Sequence, residues 1–153
     1  MFDAELQIVD SQVVDVSENA EQLSSSVASD VLVIGKAGLV KGLMFVVAIE
    51  AVTAAAAGAN VIPVKFVLQV SQDGGTTYAD LATIQLNTAA SLAKLGVWGC
   101  PIGPLDQRED VKADEDAQVR VAVRYTDNAE TDNFTYSAYL ATGGPYRQND
   151  LPD

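Results

Sequence analysis

Residues 119–126 give the clearest alternation in the chain: Val119, Val121, Val123 and Tyr125 interleave with Arg120, Ala122, Arg124 and Thr126. Successive side chains of a β-strand point to opposite faces, so this run fits a strand with one face on a core and the other in water. The same period of two returns in Phe134, Tyr136, Ala138 and Leu140, set against Thr135, Ser137 and Tyr139. It also returns in Val64, Phe66, Leu68 and Val70, where Lys65 and Gln69 face outward and Val67 is the exception. In residues 43–49 both alternating sets are apolar, as in a strand covered on both sides.

Polar, turn-forming segments separate these runs. The run 127–133 would join the last two strands as a long hairpin of antiparallel partners, and Gln72, Asp73, Gly74 and Gly75 would turn the chain after Val70. Weaker strands are expected near residues 5–9, 13–16, 31–34 and 81–86, making about eight. A helical stripe is missing. The alanine-rich stretch 51–59 is interrupted by Thr53 and Gly58 and reads as a loop. The expected fold is all-β: a single-domain antiparallel jelly roll or β-sandwich spanning residues 1–153, with extended terminal arms.

Those arms are placed at 1–30, which includes the serine-rich stretch 17–29, and at 142–153, where apolar residues are too few to pack alone. Gly99, Cys100, Pro101, Ile102, Gly103, Pro104 and Leu105 form a further extended segment, read either as a connecting loop or as an arm.

The 153 residues hold no histidine, which removes the commonest general base and zinc ligand. The single cysteine, Cys100, has no histidine to activate it. No glycine pair stands in a phosphate-binding motif. Acidic clusters at 109–116 and 127–133 are oxygen-rich but lack the ligand spacing of an EF-hand, and lone Trp98 is thin support for a sugar-gripping groove. No cofactor, metal site or catalytic residue is expected, and the chain is read as a non-enzyme. A formal net charge of −12 argues against nucleic acid as a partner. The acidic N-terminus does not resemble a secretory signal, and Glu50, Gly58 and Asn60 interrupt the longest apolar stretch, so neither secretion nor a membrane span is expected.

Several segments, taken in order, resemble one family. They are 2–12 (FDAELQIVDSQ), 42–47 (GLMFVV), 64–71 (VKFVLQVS), 119–126 (VRVAVRYT) and 134–140 (FTYSAYL). Together they resemble the capsid cement, or decoration, proteins of tailed bacteriophages, of the Bordetella phage type. The stretch 51–60, the acidic 109–116 loop and the C-terminal tail depart from that pattern. The resemblance implies a jelly-roll structural protein on the capsid exterior, made in the host bacterial cytoplasm, that bridges neighbouring major capsid protein subunits. It also implies a homo-oligomer, with a dimer favoured. Contact residues expected on this reading are Phe2, Leu6 and Ile8 at the front, Tyr146 and Arg147 at the back, and Trp98 as an anchor. Leu6 and Ile8 have an alternative role, completing the sheet of their own domain. A carbohydrate- or receptor-binding β-sandwich is the alternative function, and it would be favoured by an exposed aromatic platform near Trp98 or Tyr78.

Overall fold

The computed structural model describes residues 7–16, 21–25, 27–28, 44–53, 62–71, 74–102, 118–126 and 133–141. Its strands are β1 (Gln7–Asp15), β2 (Glu21–Leu23), β3 (Val27–Ala28), β4 (Met44–Val52), β5 (Val64–Ser71), β6 (Ala79–Leu86), β7 (Val97–Pro101), β8 (Gln118–Arg124) and β9 (Asn133–Ala141). One short helix, α1 (Ala89–Ala93), lies between β6 and β7.

All pairings are antiparallel, and the strands form two sheets. One runs β1-β9-β4-β7; the other runs β2-β8-β5-β6, with β3 also on β8. β2 and β3 occupy successive stretches of β8, Glu21 opposite Arg124 and Ala28 opposite Gln118. Between them Ser24 fills the interruption: its N–H donates to Val121 O and its Oγ accepts from Val121 N, each at 2.9 Å. Counted as one interrupted strand, β2–β3 reduces nine strands to eight positions. The pairs then nest: β1 with β9, β2–β3 with β8, β4 with β7, β5 with β6. A long antiparallel ribbon folded over in this way, with β9 against β4 and β8 against β5, is a jelly roll.

The core lies between the sheets and follows the alternation. Phe45, Val47 and Ile49 from β4 and Phe134, Tyr136, Ala138 and Leu140 from β9 face Val64, Phe66, Leu68 and Val70 from β5 and Val119, Val121 and Val123 from β8. Phe66 crosses the interior to meet Phe134 edge-on, at 6.0 Å between ring centroids, and Tyr136 at 5.3 Å. The buried Tyr136 phenol is pushed above its usual range by desolvation, so it stays neutral. Its hydroxyl donates to Gln12 Oε1 at 3.4 Å.

Several expectations are corrected. β8 and β9 are not hairpin partners: they lie in opposite sheets and meet through their core faces, because alternation fixes which face is inward but not which strand lies alongside. The stretches 5–9 and 13–16 are not two strands. Their described parts, 7–9 and 13–15, belong to one strand, β1, with register irregularities around Asp10 and Ser11, and Ser11 takes a left-handed φ of 45°. The arm drawn over 1–30 is too long, since Gln7–Asp15, Glu21–Leu23 and Val27–Ala28 are strands of the two sheets. The loop drawn from Ala51 starts too early, because β4 continues through Val52. The extended segment beginning at Gly99 starts inside β7. The strand expected at 31–34 lies outside the described residues, as does the arm at 142–153.

Helix α1 was not anticipated. Thr88 caps its start, accepting from Ser91 N through Oγ1 at 3.2 Å, and buried Leu92 anchors it. It ends on Leu95 at φ 51°, a left-handed position usually taken by glycine.

Replacing Phe66 by alanine removes the ring that joins both sheets. The expected loss is about 3–5 kcal/mol in urea unfolding followed by circular dichroism; a loss under about 1 kcal/mol would show that the inter-sheet aromatic contact is not central.

Candidate interaction surface

The two outer faces and the sheet edges are the surfaces on which this fold can act. On the outer face of the β2-β8-β5-β6 sheet, alternation puts Arg120 and Arg124 of β8 beside Lys65 and Gln69 of β5. A polar chain crosses all four strands. Arg124 pairs with Glu21 at 2.6 Å and with Asp80 at 3.0 Å. Gln69 donates to Asp80 at 2.8 Å and accepts from Arg120 Nε at 2.9 Å. Arg120 also lies over the Tyr78 ring, 3.6 Å from its centroid. Gln69, almost fully buried, therefore has both ends of its amide satisfied. Hydrogen bonds from Arg124, then from Gln69, hold the Asp80 carboxyl below the ordinary carboxylate range. The same contacts, from Asp80 first and Glu21 second, raise the Arg124 guanidinium further.

The outer face of the other sheet has a different chemistry. Met44, Val46 and Ala48 of β4 lie beside Ala141, Tyr139 and Ser137 of β9. Glu50 accepts from Ser11 Oγ at 2.7 Å and from Ser137 Oγ, while Ser137 Oγ accepts from Ser11 N at 2.9 Å. Ser137 is fully buried and its hydroxyl is committed in both directions, so this serine–carboxylate contact presents no nucleophile to solvent.

The edges differ as well. On β1, Gln22 acts as a substitute strand: its Nε2 donates to Val13 O at 3.0 Å and its Oε1 accepts from Asp15 N at 3.3 Å. Tyr125 OH donates to Asp15 O at 2.9 Å. On β7, the opposite edge of the same sheet, Gly99 and Pro101 are exposed.

Of the residues singled out for contacts, Phe2, Leu6, Tyr146 and Arg147 lie outside the described residues. Ile8 is 8% exposed and packs in the core of its own domain, the second of the two roles considered for it. Trp98 stands on β7, half-buried against the core with its ring close over Gly96. Sequence reasoning did not single out Glu21, Gln69, Asp80 and Arg124 as a set. Only the outward position of Gln69 and Arg124 was visible, because strand partners several dozen residues apart cannot be paired from alternation.

Two shallow depressions occur among the described residues. One, of about 260 Å³, is lined by Ile8, Val9, Asp10, Gln12, Ser24 and Ser25; the other, of about 180 Å³, by Pro63, Lys65, Arg124, Tyr125 and Thr126. Neither gathers a catalytic constellation, and among the described residues no three His, Cys, Asp or Glu side chains converge on a metal position. The acidic clusters at 109–116 and 127–132 lie outside the described residues. Comparison with protein-family models, with curated proteins and with solved structures finds no match. Strand order alone therefore defines the class: an antiparallel jelly-roll sandwich.

The lowered Asp80 gives a signed pH dependence. Its contribution is fully present above the unfolded-state value of about 3.9 and is lost as pH falls through the lower folded-state value. Because Asp80 and Arg124 are well exposed, the pair contributes no more than about 1 kcal/mol. Asp80→Asn should lower the urea midpoint slightly at pH 7 and flatten its fall between pH 5 and pH 2; parallel curves for the two proteins would contradict this.

Proposed function

We propose that the chain is a structural virion protein that cements and decorates the exterior of a phage capsid, bridging neighbouring major capsid protein subunits as a homo-oligomer. The observation that carries this reading is the strand order. The jelly roll expected from the family resemblance is the architecture found, and the resembling segments supply β1, β4 and β9 of one sheet and β5 and β8 of the other. These five strands make up most of the core. A fold by itself does not assign a function, since jelly rolls serve in capsids and in lectins alike.

The surfaces favour the cement reading over the carbohydrate one. A sugar platform needs an exposed aromatic face, but Trp98 is turned onto the core and Gly96, and the Tyr78 ring is covered by Arg120. A closed sandwich with outward-facing polar chains is suited to holding neighbours by several modest contacts. Repetition over a shell converts such contacts into avidity, so one subunit can bind weakly while the lattice is reinforced strongly. On this reading the stretches before β1 and after β9, with Phe2, Leu6, Tyr146 and Arg147, reach the adjacent subunits.

The test is co-sedimentation with purified capsids that lack their decoration protein. Saturable binding at fixed stoichiometry, with shells that withstand higher temperature, is the expected result. Absence of binding to the cognate shell, together with retention on a glycan array, would replace this reading with the carbohydrate-binding one.

A further inference from the structure

β2 is held differently from β8, β5 and β6 of the same sheet. Of its three side chains, Glu21 and Leu23 are exposed, Leu23 at 42%, and Gln22 is half-buried. Polar contacts hold it instead. On one side Gln22 lies opposite Val123, Ser24 N donates to Val121 O, and Ser24 Oγ accepts from Val121 N. On the other side the Gln22 amide donates to Val13 O and accepts from Asp15 N, and Gln12 Nε2 donates to Leu23 O at 3.5 Å. β2 therefore spans the mouth between the two sheets, with its main chain on β8 and a side chain on β1.

These contacts are of the kind that water replaces. A hydrogen bond lost on opening is largely regained with solvent, and an exposed ion pair such as Glu21 with Arg124 contributes little. An apolar side chain withdrawn from a core has no such substitute. β6, at the far side of the same sheet, is anchored by Leu81, Ile84 and Leu86, and β1 by Ile8, Val9 and Val14. β2 has no buried apolar side chain. Segments with few buried apolar contacts are where native proteins open locally.

We propose that β2 is a clasp that opens as a unit while both sheets stay folded, freeing this stretch of the β8 edge and the mouth between β8 and β1. The inference is independent of the function proposed above. Ser24 and Ser25 line the depression of about 260 Å³ together with Ile8, Val9, Asp10 and Gln12. Opening of the clasp widens that depression toward Ile8 and Val9, two apolar side chains of β1.

β8 carries its own control for this motion. The N–H and C=O of Val121 both meet Ser24, so alternation turns the main-chain groups of Val121 and Val123 toward β2 and those of Arg120 and Ala122 toward β5. Opening of the clasp releases the first pair of amides and leaves the second pair bonded.

The test is amide hydrogen exchange of the full chain, read residue by residue by NMR under native conditions. Val121 and Val123 should exchange on the order of a hundredfold faster than Arg120 and Ala122. Gln22→Ala removes the tie to β1 without touching the β8 main chain, and should widen the gap by roughly fivefold. Leu23 lies opposite Ala122 at a closely spaced position without ladder bonds, where two cysteines can be bridged. In a Cys100→Ser background, Leu23→Cys with Ala122→Cys should close most of the gap when oxidised and restore it when reduced. Exchange of Val121 and Val123 as slow as that of Arg120 and Ala122 in the wild-type chain would overturn the clasp, because β2 would then open only with the whole domain. A gap that persists with the disulfide closed would overturn it equally, because the exchange would not come from β2 parting from β8.

Discussion

The rest of the structure depends on the contact between the inner faces of the two sheets, centred where Phe66 of β5 reaches Phe134 and Tyr136 of β9. An antiparallel sheet with one apolar face has to bury that face, and a second sheet of the same kind is the economical solution. The three rings join residues far apart in the chain and place an aromatic cluster between the central strands. Tyr136 is the polar member of the cluster, and its hydroxyl emerges toward Gln12 on β1, so the packing is closed by a hydrogen bond.

Around that centre, polar side chains complete what the strands leave unfinished. Ser24 bridges the gap between β2 and β3, Gln22 supplies a ladder-like pair to β1, and Gln69 joins Arg120 to Asp80 across β5. Each uses a neutral side chain with both donor and acceptor: Ser24 and Gln22 satisfy main-chain groups, and Gln69 satisfies the side chains of Arg120 and Asp80. On this face Arg120 and Arg124 are each placed against specific partners, Gln69 and Tyr78 for the first and Glu21 and Asp80 for the second.

How far the sequence revealed this arrangement depends on the range of the interaction. Period two identified the inward sets of β5, β8 and β9, because burial acts on each residue through its own side chain, whereas β4, apolar on both faces, left its inward set open. It did not separate β8 from β9 into different sheets, since that depends on partners such as Lys65 opposite Arg124 and Val47 opposite Ala138. The bulge at Ser11 broke β1 into two apparent pieces, and a leucine at a glycine-like position hid the end of α1. Cross-strand polar sets such as Glu21, Arg124 and Asp80 were out of reach for the same reason: the sequence lists their members but not their adjacency.

The nesting of the pairs also orders the assembly of the domain in time. Val70 meets Ala79 after a short connection, whereas Gln7 meets Tyr139 only when 132 positions of chain have been gathered. Loop-closure entropy rises with that separation, so the β5–β6 turn is the inexpensive starting point and the β1–β9 ladder the costly last step. Topologies dominated by distant pairings fold slowly, in milliseconds to seconds. Until β1 arrives, β9 has one unpaired side, and the late strand carries Ile8, Val9 and Val14 into a core that the other strands have already outlined.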